Sequence, residues 1–175
     1  MNWSNEFVPL DKAVHDRSSF DCGEGELNEF IVKYASRHME TNISITMVLP
    51  ASGTPVNTKS SICAFYTIAP GSIQRETLPP SVKKQLPCYP VPVFLIAQLA
   101  VHSSCQHKGL GKITLTKALE YLWGVNNHMR AYAVVVDCLN ETKAPFYSQY
   151  GFEVLDHHGD CLRIYLPMQT VGKLF

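Results

Sequence analysis

A glycine-containing loop between an apolar strand and an amphipathic helix constrains this chain more than any other feature. The loop reads Gln-His-Lys-Gly-Leu-Gly over residues 106–111. Residues 93–101 before it are an apolar run of strand length, and the residues after it follow the i, i+3, i+4, i+7 spacing of a helix. That apolar stripe consists of Leu115, Ala118, Leu119 and Leu122. The order of strand, loop and helix predicts a mixed sheet with a helix packed against it.

The loop has the composition of an anion-binding site. The first N–H groups of a helix have no partner within the helix, and the helix dipole is positive at this end. Gly109 and Gly111 let phosphate oxygens approach the backbone, and Lys108 and Lys112 add positive charge. The segment is not a P-loop, because the terminal Gly-Lys-Ser/Thr is missing, and it lacks the earlier glycine of a dinucleotide fingerprint. On spacing alone, an ordinary turn before a helix fits it equally well.

A second segment lies about 30 residues downstream, a spacing typical of a βαβ unit. Residues 132–136 are rich in valine and predict a buried strand, which Asn140 follows. Residues 144–150 predict a short helix with Pro145 in its first turn, where proline is tolerated. Gly151 is placed to end that helix, and Phe152 begins another strand.

The two segments together resemble the GNAT N-acetyltransferase superfamily. The first matches its R/Q-x-x-G-x-G/A acetyl-CoA loop, which follows a strand ending here in Gln-Leu-Ala-Val at residues 98–101. The second matches its A-x-x-F-Y-x-x-x-G-F segment at residues 144–152, with Asn140 just before it. This resemblance covers roughly residues 60–166, and two linked motifs in the right order make it specific.

Further motifs narrow the resemblance to the GNAT toxins of bacterial toxin–antitoxin modules. Residues 20–31 resemble the F-x-C-G-x-x-x-L-N-x-F-L opening of these toxins, and residues 65–68 resemble their F/Y-Y-T-L strand. Residues 78–80 and 86–92 are similar to their proline-rich lead into the central strand. The chain departs from the family pattern at three positions, where Gln98, His102 and His107 replace residues common in these toxins.

The resemblance implies an α+β GNAT fold in one domain over residues 1–175. It implies a central, mixed, mostly antiparallel twisted sheet with a splayed parallel pair, flanked by about four helices. Members acetylate the α-amine of an aminoacyl-tRNA from acetyl-CoA, which blocks translation, and a cognate ribbon-helix-helix antitoxin neutralises them. The resemblance also allows a homodimer.

The same resemblance assigns roles to individual residues. Tyr147 is expected to be the general acid that protonates the leaving thiolate of coenzyme A. Backbone N–H groups near Leu99 and Val101 are expected to polarise the thioester carbonyl. The residues expected to bind acetyl-CoA are Leu99, Ala100, Val101, Gln106, His107, Lys108, Gly109, Leu110, Gly111, Lys112, Asn140 and Phe146.

Two alternative functions remain open from the sequence. One is a GNAT N-acetyltransferase that acts on a small amine or a protein N-terminus, against which the toxin-like opening and the proline-rich segment argue. The other is a non-catalytic regulator that binds acetyl-CoA, against which the intact Tyr147 argues.

Composition argues against several other classes of protein. The six cysteines are widely spread without a C-x-x-C pair, and the seven histidines lack H-x-x-x-H spacing, so no metal is expected. Cys105 and Cys138 lie near the motifs and leave a catalytic thiol as a minor hypothesis. No apolar run reaches the length of a membrane span and no signal peptide is visible, so a cytoplasmic protein without membrane contact is expected.

The charge is distributed unevenly although its formal sum is zero. Residues 16–29 carry a net −4, and residues 75–143 carry a net +4. Part of the positive charge is expected to serve coenzyme A. The rest, with Lys83 and Lys84 as candidates, fits contacts to tRNA phosphates and ordinary surface charge about equally well.

Two structural expectations concern the regions around these charges. Leu27, Phe30, Ile31 and Tyr34 are predicted to form the apolar stripe of the first helix. Residues 70–92 contain many prolines and are predicted to lie outside regular sheet.

Overall fold

The computed structural model describes residues 1–138 and 141–175, with the backbone but not the side chain of residue 158. Helices and strands alternate along these residues in the order β1 Val8–Pro9, β2 His15–Asp16, α1 Gly25–Glu29, α2 Ala35–Glu40, β3 Ile45–Pro50, β4 Ser60–Ile73, α3 Pro80–Lys83, β5 Val91–Val101, α4 Leu110–Val125, β6 Ala133–Cys138, α5 Ala144–Ser148, β7 Glu153–His158, β8 Cys161–Pro167 and α6 Met168–Val171. A π-helical turn, Phe30–Tyr34, joins α1 to α2, and 3-10 turns lie at Arg75–Thr77, Ser103–Cys105 and Glu141–Lys143.

The strands form one mixed sheet in the hydrogen-bonded order β1-β3-β4-β5-β6-β8-β7, and β2 pairs with β4. Strands β5 and β6 are parallel, with Val93–Ile96 in register with Ala133–Val136. The pairs β1–β3, β3–β4, β6–β8 and β7–β8 are antiparallel. The short β2–β4 pair is also parallel. The predicted α+β fold with a mixed, mostly antiparallel sheet is confirmed, and several helices flank it.

Two compact units divide the described residues. Unit 1 comprises Met1–Ala69 and Ala97–Ala118, and unit 2 comprises Pro70–Ile96 and Leu119–Phe175. The core of unit 1 is formed mainly by Leu10, Phe20, Phe30, Ile31, Ala35, Val48, Ile62 and Phe65. The core of unit 2 is formed mainly by Ile73, Leu78, Val91, Val93, Ala133, Val135 and Tyr165.

The longest helix, α4, follows the apolar pattern of its sequence. All four residues of the predicted stripe are at most 2% exposed. Burying four such side chains stabilises the helix far more than helix propensity does. None of the described helices is both long and apolar enough to cross a membrane.

The predicted stripe of the first helix is wrong at its last position. Phe30 and Ile31 are buried, but Tyr34 is 43% exposed and Ala35 takes the buried position instead. The cause is the π-helical turn, in which the N–H of Ala35 donates to the carbonyl of Phe30, five residues back. A turn with one extra residue moves the buried face of the helix by one position.

The proline-rich segment is also more regular at its ends than predicted. Strand β4 continues through Pro70 to Ile73, and β5 begins at Val91 and includes Pro92. Proline lacks an N–H but can still contribute its carbonyl to a ladder. The carbonyl of Pro92 accepts a 2.9 Å hydrogen bond from the N–H of Tyr132, so this proline contributes its acceptor although it has no donor.

An ion pair in unit 2 should contribute measurably to stability. The guanidinium of Arg163 on β8 donates to both carboxylate oxygens of Asp137 on β6, at 2.7 and 2.8 Å, and both side chains are less than 30% exposed. We expect Arg163→Met to lower the free energy of unfolding by about 1.5–3 kcal/mol, because it leaves a half-buried carboxylate without its partner.

Denaturant unfolding would measure this effect against an exposed pair. Lys12 and Glu40 form an ion pair at 2.8 Å whose side chains are both about 60% exposed. Lys12→Met should therefore cost only about 0–1 kcal/mol. Equal costs for the two substitutions would contradict a stabilising role for the Asp137–Arg163 pair.

Candidate functional site

The predicted anion loop lies in unit 1 and has an irregular backbone. Strand β5 ends in Leu99, the buried Ala100 and Val101, and the Ser103–Cys105 turn leads from it into residues 106–111. His107 and Gly109 have φ angles of +59° and +80°, in the left-handed region that glycine tolerates and most other residues avoid. These two left-handed residues turn the chain so that α4 can begin at Leu110.

Leu110 fixes the start of α4 in the interior of unit 1. It is 1% exposed and belongs to a core cluster with Leu49, Cys63, Ala64 and Cys105. The N–H groups in the first turn of an α-helix point along its axis and have no partner within the helix. The helix is sixteen residues long, so its dipole favours an anion at this end.

The loop leaves room for a ligand next to its backbone. A Cβ atom added to Gly109 would meet no protein atom within 4 Å, so open space faces the backbone at this residue. Lys112 is exposed, and the ammonium of Lys108 donates to the carbonyl of Ser104 at 2.8 Å, which holds that charge against the loop. Open space, helix N–H groups and fixed positive charge fit the pyrophosphate of a coenzyme A thioester.

Gln106 supports the loop through its side chain. Its amide nitrogen donates to the carbonyl of Val101 and to the carbonyl of Cys22, both at 2.9 Å. The first bond spans the turn between β5 and the loop, and the second joins the loop to the N-terminal segment. The side-chain nitrogen of Gln106 is thus occupied by backbone carbonyls.

The predicted general acid, Tyr147, lies on α5 in unit 2. Its ring packs edge-on against Phe146 at 5.0 Å and Phe152 at 5.6 Å between centroids, and only 8% of the residue is exposed. Helix α5 has five residues and begins with Ala144 and Pro145, and the chain turns after it at Gly151, where φ is +93°. The aromatic cluster and this turn hold the ring in one place.

Burial reinforces the neutral state of the Tyr147 phenol. Desolvation raises the pKa of its phenol far above the ordinary value of 10, and the neighbouring Cys138 adds to the effect. The phenol is therefore neutral throughout the physiological range. A neutral phenol carries the proton that a general acid must donate.

The cysteines near the motifs have the environment of structural thiols. All six cysteines are free, and Cys105 and Cys138 are both buried. Burial raises the pKa of the Cys138 thiol to about 11, so it stays protonated at neutral pH. A nucleophilic cysteine needs a depressed pKa, and the hypothesis of a catalytic thiol at Cys138 loses its support. No group of three or more candidate metal ligands is found among residues 1–138 and 141–175.

The structure brings most of the predicted positions into two sets. Leu99, Ala100, Val101 and all of residues 106–112 fall in unit 1, and Phe146 and Tyr147 are neighbours in unit 2. Asn140 lies outside the described residues. The sequence did not predict the Asp137–Arg163 pair beside Cys138. In the sequence this ion pair is visible only as two charged residues within apolar strands. The structure places them in register on β6 and β8.

Comparisons with known proteins agree with this description. Residues 70–154 match the acetyltransferase (GNAT) domain family. The chain is 30% identical over 139 residues to the tRNA-acetylating toxin of Mycobacterium tuberculosis (strain ATCC 25618 / H37Rv), a match that covers 79% of each chain. It is 27% identical over 175 residues to the probable toxin TacT of Sinorhizobium fredii (strain NBRC 101917 / NGR234), covering 95% of this chain and 92% of the relative.

Solved structures of one toxin, AtaT, are similar as well. AtaT complexed with acetyl-methionyl-tRNAfMet superposes with a TM-score of 0.86 at 26% identity, over 97% of this chain and 98% of AtaT. A mutant of AtaT bound to the C-terminus of the antitoxin AtaR and to acetyl-CoA has a TM-score of 0.79 at 22% identity, over 97% of both chains, a similarity of fold.

Proposed function

Because the chain belongs to the family of GNAT acetyltransferase toxins that acetylate tRNA, we propose that it transfers the acetyl group of acetyl-CoA to the α-amine of an aminoacyl-tRNA and so blocks translation. The observation that carries this proposal is the 30% identity to a tRNA-acetylating toxin over 79% of the chain, in which Tyr147 lies buried on α5 at the position of the motif tyrosine. The open loop at Gly109 supports acetyl-CoA as the donor, because its backbone suits a pyrophosphate.

The proposed reaction needs one acid and one group of hydrogen-bond donors. The amine nitrogen attacks the thioester carbon, a C–N bond forms, and the C–S bond breaks to release the thiolate. Backbone N–H groups near Leu99 and Val101 would stabilise the negative charge on the carbonyl oxygen. Tyr147 would give its proton to the sulfur and regain one from water, while the amine loses its proton to water. Asn140 is proposed to bind the pantetheine arm.

The proposed partners follow from the same family. We propose that a cognate antitoxin of the ribbon-helix-helix type neutralises this chain, as the resemblance of its motifs to toxins of toxin–antitoxin modules implies. A homodimer and a single catalytic domain over residues 1–175 are part of the proposal. A cytoplasmic location is proposed because charged tRNA is the proposed substrate.

Induction of this chain should arrest growth, and co-expression with the neighbouring open reading frame should relieve that arrest. Arrest that persists would contradict the antitoxin proposal.

The acceptor can be identified directly. Incubation of the chain with labelled acetyl-CoA and total charged tRNA should label a subset of the tRNAs, and sequencing of the labelled species would name them. A label that stays on free amines or on proteins would favour the alternative acetyltransferase function.

Positive charge on the proline-rich segment gives a prediction about tRNA binding. Lys84 is exposed and Lys83 is half-buried, at the end of α3. We expect Lys83→Glu with Lys84→Glu to weaken tRNA binding and to reduce its salt dependence by about one unit of slope per lost phosphate contact. Acetyl-CoA affinity should be unchanged. Binding isotherms at several salt concentrations would measure both quantities.

A control with the same change in net charge separates contact from general electrostatics. Lys59 and Lys173 are both exposed and lie outside residues 75–143. Lys59→Glu with Lys173→Glu should leave the salt slope close to the parental value. If both double variants change the slope equally, Lys83 and Lys84 are ordinary surface charges.

A further inference from the structure

The N-terminal motif at residues 20–31 lies directly against the approach to the acetyl-CoA loop. The N–H and hydroxyl groups of Ser103 both donate to the carbonyl of Asp21, the N–H at 2.8 Å. The side chain of Gln106 donates to the carbonyl of Cys22, and the His102 ring lies 3.3 Å from the carbonyl of Ser19 through Nε2. Three residues of the loop approach, His102, Ser103 and Gln106, therefore contact backbone carbonyls of the N-terminal segment.

Those carbonyls are held by a pair of side chains, Asp21 and Asn28. The Asn28 amide nitrogen donates to Asp21 Oδ1 at 2.8 Å, and the N–H of Gly23 donates to the same oxygen at 2.9 Å. Asn28 Oδ1 accepts from the N–H of Cys22 at 2.9 Å and from its thiol at 3.2 Å. We name these contacts the Asp21–Asn28 bracket. It fixes the peptide units whose carbonyls receive Ser103 and Gln106.

The bracket accounts for the order of residues in the N-terminal motif. Gly23 has a φ of +87°, so a glycine is required where the chain turns back toward α1. Phe20 is 4% exposed and packs edge-on against Phe65 at 5.1 Å, which anchors the start of the segment. Asn28 then occupies the helical position from which one amide reaches both Asp21 and Cys22. The hydrogen bonds from Gly23 and Asn28 also lower the pKa of the Asp21 carboxyl, so it stays charged and a strong acceptor.

The loop needs such support from outside itself. His107 is a non-glycine residue with a φ of +59°, a conformation that costs free energy and persists only where the surroundings fix it. Within the loop, the Lys108 ammonium to Ser104 carbonyl bond is a contact between neighbours and cannot set the position of the whole turn. The bonds to Asp21 and Cys22 connect the turn to a segment whose Phe20 and Cys22 are buried in the core of unit 1.

We propose that Asn28 is a positioning residue for acetyl-CoA, acting through Asp21 and Cys22 on the Ser103–Gln106 turn and hence on the pyrophosphate loop. This inference rests on the proposed use of acetyl-CoA by that loop. The amide of Asn28 bonds Asp21 and Cys22, so we expect its effect to appear in the affinity for acetyl-CoA and not in the chemical step.

Replacement of Asn28 by alanine tests the bracket. Asn28→Ala should raise the Kd and the KM for acetyl-CoA about tenfold, the equivalent of about 1.4 kcal/mol. The kcat at saturating acetyl-CoA and the KM for aminoacyl-tRNA should stay at the parental values.

Ser103→Ala removes one hydroxyl and leaves the bracket intact, and should raise the Kd for acetyl-CoA by about threefold. In the double variant the two effects should be less than additive, because both act on the Asp21 carbonyl.

A control removes a comparable hydrogen bond elsewhere in unit 1. Thr46 and Thr67 share a buried hydrogen bond of 2.7 Å between β3 and β4. Thr46→Val should lower the melting temperature and leave the Kd for acetyl-CoA unchanged. Parental Kd and KM in a folded Asn28→Ala variant would overturn the positioning role, as would an equal loss of affinity in Thr46→Val. A parent protein that does not bind acetyl-CoA would instead overturn the proposed function.

Discussion

Tyr147→Phe is expected to lower the single-turnover rate of acetyl transfer by about 10²–10⁴, the usual cost of losing a general acid. The substitution removes one hydroxyl and keeps the ring, so the packing against Phe146 and Phe152 should be preserved. Acetyl-CoA should still bind, because the loop at residues 106–111 is unchanged. Quenched-flow measurement of acetylated aminoacyl-tRNA, together with calorimetric acetyl-CoA affinity, would determine both quantities.

The pH dependence of the parent protein gives a second result for the same residue. Burial raises the pKa of the Tyr147 phenol above its ordinary value, so the acid form is retained as pH rises. Between about pH 6 and pH 9 the rate should therefore show no descending limb from loss of this proton.

The free energy of unfolding also depends on this phenol. Folding favours its protonated form, so the phenol contributes to stability as long as it stays protonated. This contribution is complete below about pH 10 and is lost as pH rises through the higher pKa of the folded state.

Tyr150 supplies the matched control for the hydroxyl. It follows α5 and packs against the same Phe146 ring, at 5.6 Å between centroids. Tyr150→Phe should keep the parental rate. A Tyr147→Phe variant with parental turnover would reduce Tyr147 to a packing residue, and one that also loses acetyl-CoA would make it a binding residue.

Gly109→Val should abolish most acetyl-CoA binding while the fold survives. Gly109 has a φ of +80° and faces open space, so valine adds backbone strain and fills the volume where phosphate oxygens should approach. Loss of two charge-assisted hydrogen bonds at about 1.5–3 kcal/mol each corresponds to a Kd about 10²–10⁴ times higher. Calorimetric titration with acetyl-CoA would measure the change, and circular dichroism would confirm that the variant is folded.

Gly53 provides a control with the same backbone conformation. It lies in the turn between β3 and β4 with a φ of +71°, and a Cβ atom there would also meet no protein atom within 4 Å. Gly53→Val should cost similar stability and leave the Kd for acetyl-CoA unchanged. An unchanged Kd in folded Gly109→Val would remove the basis for placing the pyrophosphate on this loop.

The predictable parts of this fold are those that local sequence determines. The stripe of α4 follows from one helical period, and Leu115, Ala118 and Leu119 are buried as predicted. The loop before it follows from two glycines and a helix start. These features depend on residues close in sequence, so a single chain is enough to infer them.

The wrong expectations arose where local rules have exceptions. The exposure of Tyr34 depends on a π-helical turn, and no residue pattern in this segment signals the extra residue. Pro70 and Pro92 were expected outside strands because proline lacks an N–H, but both lie within strands, Pro70 in β4 and Pro92 in β5. In both cases the tertiary structure decides what the sequence leaves open.

Contacts between distant residues could not be predicted at all. Asp137 and Arg163 are 26 positions apart, and Gln106 and Cys22 are 84 positions apart. The N-terminal motif could be identified as typical of a family, but its physical purpose became clear only when its carbonyls were seen to accept Ser103 and Gln106. A sequence motif identifies the residue types, but the hydrogen-bond partners of those residues are known only from the fold.

The most direct test of the proposed function is the chemical identity of the acetylated product. The chain would be incubated with labelled acetyl-CoA and charged tRNA, the tRNA purified, and its ester bond hydrolysed under mild base. Mass spectrometry should then find N-acetylated amino acid released from the tRNA, in an amount that depends on Tyr147. The proposed function would be contradicted if the charged tRNA released only unmodified amino acid and the label appeared on small amines or protein N-termini instead.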